Sequence, residues 1–190
     1  MQSSSENILK NAVRKEIKGQ LREQTPSLRD EASRRIQEKL ISSEEFISAR
    51  IVMSYVATDT EVDTAYLNRK TLENGKRLVV PVIDVERQEI IAKELESIED
   101  LIKGPFGIYE PRNGLEKQVT GEEIDLIIVP AIAYDKHNMR LGRGKGYYDR
   151  FLSGKGLSRK TTVGLAFHFQ IVNLLPSDSH DMPVSTVITD

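Results

Sequence analysis

The segment with the clearest chemical content is Arg140-Leu141-Gly142-Arg143-Gly144-Lys145-Gly146-Tyr147-Tyr148-Asp149, in which three glycines alternate with two cations. Glycine tolerates positive φ and close backbone approach, so successive N–H groups can turn onto an anion. In a locally extended loop Arg143 and Lys145 project to one side, roughly 7 Å apart. A helix starting near Tyr147 would turn its positive end toward the same anion. The pattern reads as a phosphate cradle without the Walker spacing. On residue types alone, a solvated surface turn remains the other reading.

Two more groups carry chemistry. Lys10, Arg14, Lys18 and Arg22 recur every fourth residue and make one basic stripe if helical; the plainer reading is a solvated helix face. Thr58-Asp59-Thr60-Glu61 has the form of a capping box, so Glu61 is either a cap for the following helix or a ligand.

The elements that must position these residues follow from periodicity. Ile8, Leu9, Ala12, Val13, Ile17 and Leu21 predict an amphipathic helix over about 6–23. Thr25-Pro26-Ser27 ends it, and a second helix is expected over about 28–48, with Leu28, Ala32, Ile36, Leu40 and Ile47 inward. Strands are expected at 50–56, 77–82, 89–92, 125–130 and 162–167, with helices at 64–74 and from Tyr147 to about Leu152. Such alternation predicts an α/β fold: a single three-layer, Rossmann-like domain whose open, largely parallel sheet carries helices on both faces. Ligands then collect beyond the carboxyl ends of the strands.

The chain has 190 residues, 38% of them apolar and 29% charged; 27 basic against 29 acidic residues leave a net charge of −2. That balance and one short basic loop disfavour nucleic acid as a partner. The absence of cysteine excludes disulfides and thiol nucleophiles. No apolar run is long enough for a membrane helix, so a cytoplasmic protein free of membranes is expected. The length suffices for a self-contained core, and a monomer is the default expectation.

Val129-Pro130-Ala131-Ile132-Ala133-Tyr134-Asp135, followed by Arg140 through Leu152, resembles the signature of the 5-formyltetrahydrofolate cyclo-ligase (methenyltetrahydrofolate synthetase) family. The resemblance continues through 10–14, 60–64, 106–111, 164–167, Leu175-Pro176 and 180–184. It implies ATP- and Mg²⁺-dependent conversion of 5-formyltetrahydrofolate to 5,10-methenyltetrahydrofolate. In that reaction the formyl oxygen attacks the γ-phosphate, a neighbouring folate nitrogen closes the ring, and phosphate leaves. The resemblance also implies site residues. Lys10, Arg14 and Arg140, Leu141, Gly142, Arg143, Gly144, Lys145, Gly146, Tyr147 and Tyr148 match ATP positions, the helix of 6–23 contributing to that site. Tyr55, Glu61 and Arg143 through Tyr147 match folate positions, and Asp149 and Asp181 match magnesium ligands; Arg143, Lys145 and Tyr147 are the expected catalytic residues. Asp181 reads as an exposed loop carboxylate, and His180 has no assigned role.

Two positions depart from the family pattern. Asn138 stands near a customary glycine and suits the left-handed turn; Val82 follows Pro81 where an arginine is common. They leave open a paralogue that uses ATP on another small molecule. A third reading, an RNA-binding module gripping bases between Arg143, Lys145 and the tyrosines, has little support from the net charge.

Overall fold

The structure, a computed structural model, describes residues 4–104, 109–112, 117–157 and 159–190. The motif portion Phe106-Gly107-Ile108 lies outside them.

The first helix, α1 (Ser4–Glu23), matches its predicted span but not its predicted face. Ile17 and Leu21 are buried, whereas Ile8 and Leu9 are exposed and Lys10 is 4% accessible. The N-terminal half of α1 therefore presents a charge to the molecule. The expected second helix divides into α2 (Pro26–Ile41) and α3 (Glu44–Ser48). Ser43 is the reason: its hydroxyl caps the Phe46 N–H at 3.3 Å and starts a new helix. Phe46 takes the core position, while Leu28 and Ile47, both expected inside, are exposed.

In chain order the strands are β1 (Ile51–Met53), β2 (Arg77–Asp84), β3 (Glu89–Leu95), β4 (Leu101–Lys103), β5 (Tyr109–Pro111), β6 (Lys117–Gln118) and β7 (Leu126–Val129), followed by β8 (Ala133–Asp135), β9 (Arg140–Leu141), β10 (Thr161–Ala166), β11 (Ile171–Val172) and β12 (Thr186–Thr189). Helix α4 (Ala65–Glu73) joins β1 to β2, and α5 (Tyr147–Leu152) follows β9. The main sheet has the order β12-β10-β7-β1-β2-β3-β6. Its strands from β12 to β2 run parallel, and β3 and β6 close one side antiparallel. The expected largely parallel α/β sheet is what the chain forms.

Strand pleat divides the core. On β7, Leu126 and Ile128 join the cluster formed with α1 to α4, while Ile127 and Val129 face Leu152 and Leu157 on the other side. All four are fully buried, each worth about 1.5–3 kcal/mol of transfer free energy. Among the described helices only α5 packs on that second face. Close approach there explains Gly164, because a Cβ on it would lie 2.5 Å from the Tyr134 ring.

Chain order reverses beside β1: β2 lies on one side and β7 on the other. A crevice opens at such a switch point, beyond the carboxyl ends of the strands. Two loops border it, one after β1 and one after β7. The second contains the β8–β9 hairpin, which periodicity does not reveal because its strands are so short. Asn138 turns it at φ +61°, as expected. Buried Asp135 fixes the turn by accepting the N–H groups of His137, Met139 and Leu175 at 2.8–3.0 Å.

Candidate functional site

The glycine loop leaves the hairpin at Leu141 and enters α5 at Gly146, which adopts φ +68° as the helix N-cap. Gly144, at φ +98°, is the other strained position; a side chain there would be disfavoured and would meet the Arg14 guanidinium at 3.5 Å. Three arginines hold the loop. Arg14 on α1 donates from Nε to the Gly142 carbonyl at 3.0 Å and from Nη1 to Asn11. Arg150 on α5 donates to the Lys145 carbonyl at 3.1 Å and to the Gln88 carbonyl on the β2–β3 turn. Arg143, in the loop itself, reaches across the crevice to the loop after β1. Its Nη2 lies 2.6 Å from Thr58 Oγ1 and 3.0 Å from Glu61 Oε1.

Glu61 has the back-bonding of a capping box but caps no helix, because α4 starts four residues later behind Thr64. Its Oε2 accepts both the N–H and the hydroxyl of Thr58 at 2.9 Å. The side chain is 14% exposed and turned toward Arg143, so cap geometry and site geometry coincide in one residue. Lys145, by contrast, is exposed and forms no ion pair among the described residues. Its charge is free to meet an incoming anion. Beside the loop, Asn11, Arg14, Lys15, Lys18, Arg22 and Arg143 line an open groove of about 410 Å³.

Deeper in, the charges are paired. Lys10 donates to Asp181 Oδ2 at 2.7 Å and lies 3.6 Å from Asp178. Arg140, its side chain 3% exposed, donates to Asp149 Oδ1 at 2.6 Å and stacks over the Tyr148 ring at 5.7 Å. The Met182 N–H also donates to Asp149 Oδ1, so the carboxylates of Asp149 and Asp181 belong to one connected cluster. Partial burial lowers the Arg14 guanidinium from its usual range, and the charge of Asp181 opposes that shift. Burial, then the Glu61 charge, push the Tyr148 phenol well up, so its hydroxyl stays protonated. That hydroxyl and Arg140 Nε are buried without a hydrogen-bond partner among the described residues.

The residues singled out from the sequence thus converge at one end of the sheet, though with different accessibility. Lys10, Arg140 and Leu141 are buried, and Asp181 is 17% exposed with Lys10 and the Asp178 N–H on one oxygen, not a free loop carboxylate. Tyr55 is buried and its hydroxyl donates to the Val62 carbonyl, leaving no free face for a ligand. Tyr147 sits under the Arg150 guanidinium at 5.2 Å. Helix α5 has only six residues, so the helix-end contribution expected from the sequence is small. His180 is exposed against Ser179. The sequence reading missed Thr58, Asn11, Asp178 and Arg150. For Thr58 the sequence signal is its capping-box spacing to Glu61, which by itself indicates a cap and no partner beyond it.

The family model for 5-formyltetrahydrofolate cyclo-ligase matches residues 6–190. The chain belongs to that family. The mouse 5-formyltetrahydrofolate cyclo-ligase is 29% identical over 190 residues, covering 96% of this chain and 94% of that protein. The enzyme of Escherichia coli K12 is 26% identical, covering 91% and 96%. Among solved structures, the 5,10-methenyltetrahydrofolate synthetase of Aquifex aeolicus superposes with a TM-score of 0.82 at 35% identity, covering 95% of this chain and 89% of that one. The synthetase of Mycoplasma pneumoniae shares the fold, with a TM-score of 0.75 at 24% identity.

Within this cyclo-ligase fold the residues suit a hard cation shared with a ligand. No three His, Asp or Glu side chains gather into a metal cluster among the described residues. Mg²⁺ keeps waters and needs only one or two carboxylates beside phosphate oxygens. Asp149 Oδ2 and Asp181 Oδ1 each accept no hydrogen bond among the described residues, and so remain available as metal ligands. No described helix is long and apolar enough to cross a membrane.

Proposed function

We propose that this enzyme cyclises 5-formyltetrahydrofolate to 5,10-methenyltetrahydrofolate with ATP and Mg²⁺, as a cytoplasmic monomer whose residues 1–190 act as one domain. The observation that carries the mechanistic part is Arg143: one guanidinium joins the glycine loop, suited to phosphate, to Glu61, suited to the donor edge of a pterin. A nucleotide and a folate bound on either side would meet there. The reaction asks for alignment and charge stabilisation more than for a protein nucleophile, which agrees with a cysteine-free site rich in arginine.

In this reading the N–H groups of 142–146, with Arg14, Arg143 and Lys145, bind the triphosphate. Lys10 and Arg140 hold Asp181 and Asp149, which would ligate Mg²⁺; the ion, when bound, would neutralise phosphate charge. Tyr147 lies at the helix start beside the reacting groups. The formyl oxygen forms a P–O bond to the γ-phosphorus as the bond to ADP breaks. A folate N–H nitrogen then attacks the formyl carbon, its proton passes to the departing phosphate, and the C–O bond breaks with loss of that phosphate. Lys145 follows the growing charge on the transferred phosphoryl group.

Incubating the purified protein with ATP, Mg²⁺ and 5-formyltetrahydrofolate should raise the near-ultraviolet band of methenyltetrahydrofolate, with one ADP formed per turnover. Absence of that band under saturating substrates would overturn the reading; ATP turnover with a different small molecule would favour the paralogue.

A further inference from the structure

The geometry points to Thr58 as a positioning residue that aims Arg143, an inference that rests on the nucleotide site proposed above. The argument is one of hydrogen-bond capacity. A threonine hydroxyl has one hydrogen and two lone pairs. Here the hydrogen goes to Glu61 Oε2 at 2.9 Å, which turns a lone pair toward Arg143 Nη2 at 2.6 Å. The hydroxyl is therefore a relay between a carboxylate and a guanidinium. Its own backbone N–H donates to the same Glu61 oxygen at 2.9 Å and holds the carboxylate still.

Nη2 carries only two hydrogens, and Thr58 Oγ1 with Glu61 Oε1 use both; Thr60 Oγ1, at 3.4 Å, is a poor third acceptor. Arg143 Nη1 and Nε make no bond among the described residues, and Arg143 lines the basic groove with Arg14. One edge of the guanidinium is thus anchored and the other is left for an anion. Without the anchor, a half-exposed arginine would spread over many rotamers and would have to be ordered by the ligand. Thr58 never touches the phosphate; it acts through Arg143.

Thr58→Val keeps shape and backbone N–H but removes both hydroxyl bonds, and Thr58→Ser restores them. Calorimetric titration with a non-hydrolysable ATP analogue and Mg²⁺ should show the Kd of Thr58→Val raised about tenfold, as expected for losing a hydrogen bond to a charged group. Thr58→Ser should bind within about twofold of the parent chain. In an Arg143→Met background the Thr58→Val effect should shrink below about twofold, because the group being aimed is gone. In the cyclisation assay KM for ATP should rise more than kcat falls. An unchanged Kd in Thr58→Val, a Thr58→Ser as weak as Thr58→Val, or an undiminished effect beside Arg143→Met would each overturn the role. Titration needs no turnover, so a parent chain that binds nucleotide but makes no methenyltetrahydrofolate overturns the proposed reaction while Kd still judges Thr58. A parent chain that binds no nucleotide overturns both.

Discussion

At the amino ends of β1 and β2 charge meets charge near the surface, whereas at the carboxyl ends it meets charge inside. Arg77 grips Glu94 across β2 and β3 with two bonds of 2.8 and 2.7 Å, side chains 33% and 15% exposed. Lys10 and Arg140 at the other end expose only 6% and 3% of their side chains and lean on Asp181 and Asp149. All three are well-made ion pairs with similarly exposed carboxylates; what differs is the cation, a third exposed in Arg77 and sealed in Lys10 and Arg140. A surface pair is screened by water and contributes little. A buried pair seldom stabilises a fold more than apolar residues would, but breaking it leaves a charge stranded. Desolvated charge gathered at one end of a sheet agrees with the site proposed there.

Arg140→Met should break that contrast most severely. It leaves Asp149 half-buried without its cation, a loss of about 3–5 kcal/mol, and thermal unfolding should fall by about 6–20 °C. A midpoint unchanged within error would mean that Asp149 is solvated and the interior cluster is no different from the surface. Lys145→Ala tests the opposite property, charge without a structural partner. Turnover should drop by about 2–4 kcal/mol in activation free energy, with the melting curve unmoved. Unaltered kcat and unaltered KM for ATP would remove Lys145 from the site.

The carboxylates come next. Asp149→Asn and Asp181→Asn should each raise the Mg²⁺ concentration for half-maximal rate by several-fold, and the double variant should be less than additive if one ion is shared. Because Lys10 leans on Asp181, Asp181→Asn should also lose stability, which a free loop carboxylate would not; Lys10→Met should rescue part of it. Wild-type magnesium curves in both single variants would assign these side chains to the fold alone.

The smallest effect belongs to Arg77 and Glu94. A double-mutant cycle should give a coupling below about 1 kcal/mol, falling further in high salt. Hydrogen bonding to Arg77, partly opposed by burial, holds the Glu94 carboxyl below its ordinary range. Its folded form therefore binds a proton less readily than the unfolded chain does. The stability it contributes is present above the unfolded pKa and is lost as pH falls through the folded one. Arg77→Gln should flatten that acid limb of the unfolding curve slightly. A coupling as large as the loss in Arg140→Met would erase the distinction between the two ends.

By itself the sequence determined the longer helices, the apolar central strands and the chemistry of the glycine loop, but not the short edge strands or the β8–β9 hairpin. Apolar strands such as Leu126–Val129, the cap signals and the glycine-and-cation loop are local patterns, and the family resemblance consists of short motifs, the longest between Val129 and Leu152. The α/β class and most of the residues that meet at the site followed from them. Which of those residues are buried did not follow. The stripe of Lys10, Arg14, Lys18 and Arg22 looks uniform in sequence, yet Lys10 is sealed against Asp178 and Asp181 while Lys18 is exposed. Ile8 and Leu9, the more apolar neighbours, are left outside. The partners of Arg143 stand 82 to 85 positions away. Such choices depend on which oxygen atoms the packed sheet brings within bonding distance, and only the tertiary structure supplies those distances.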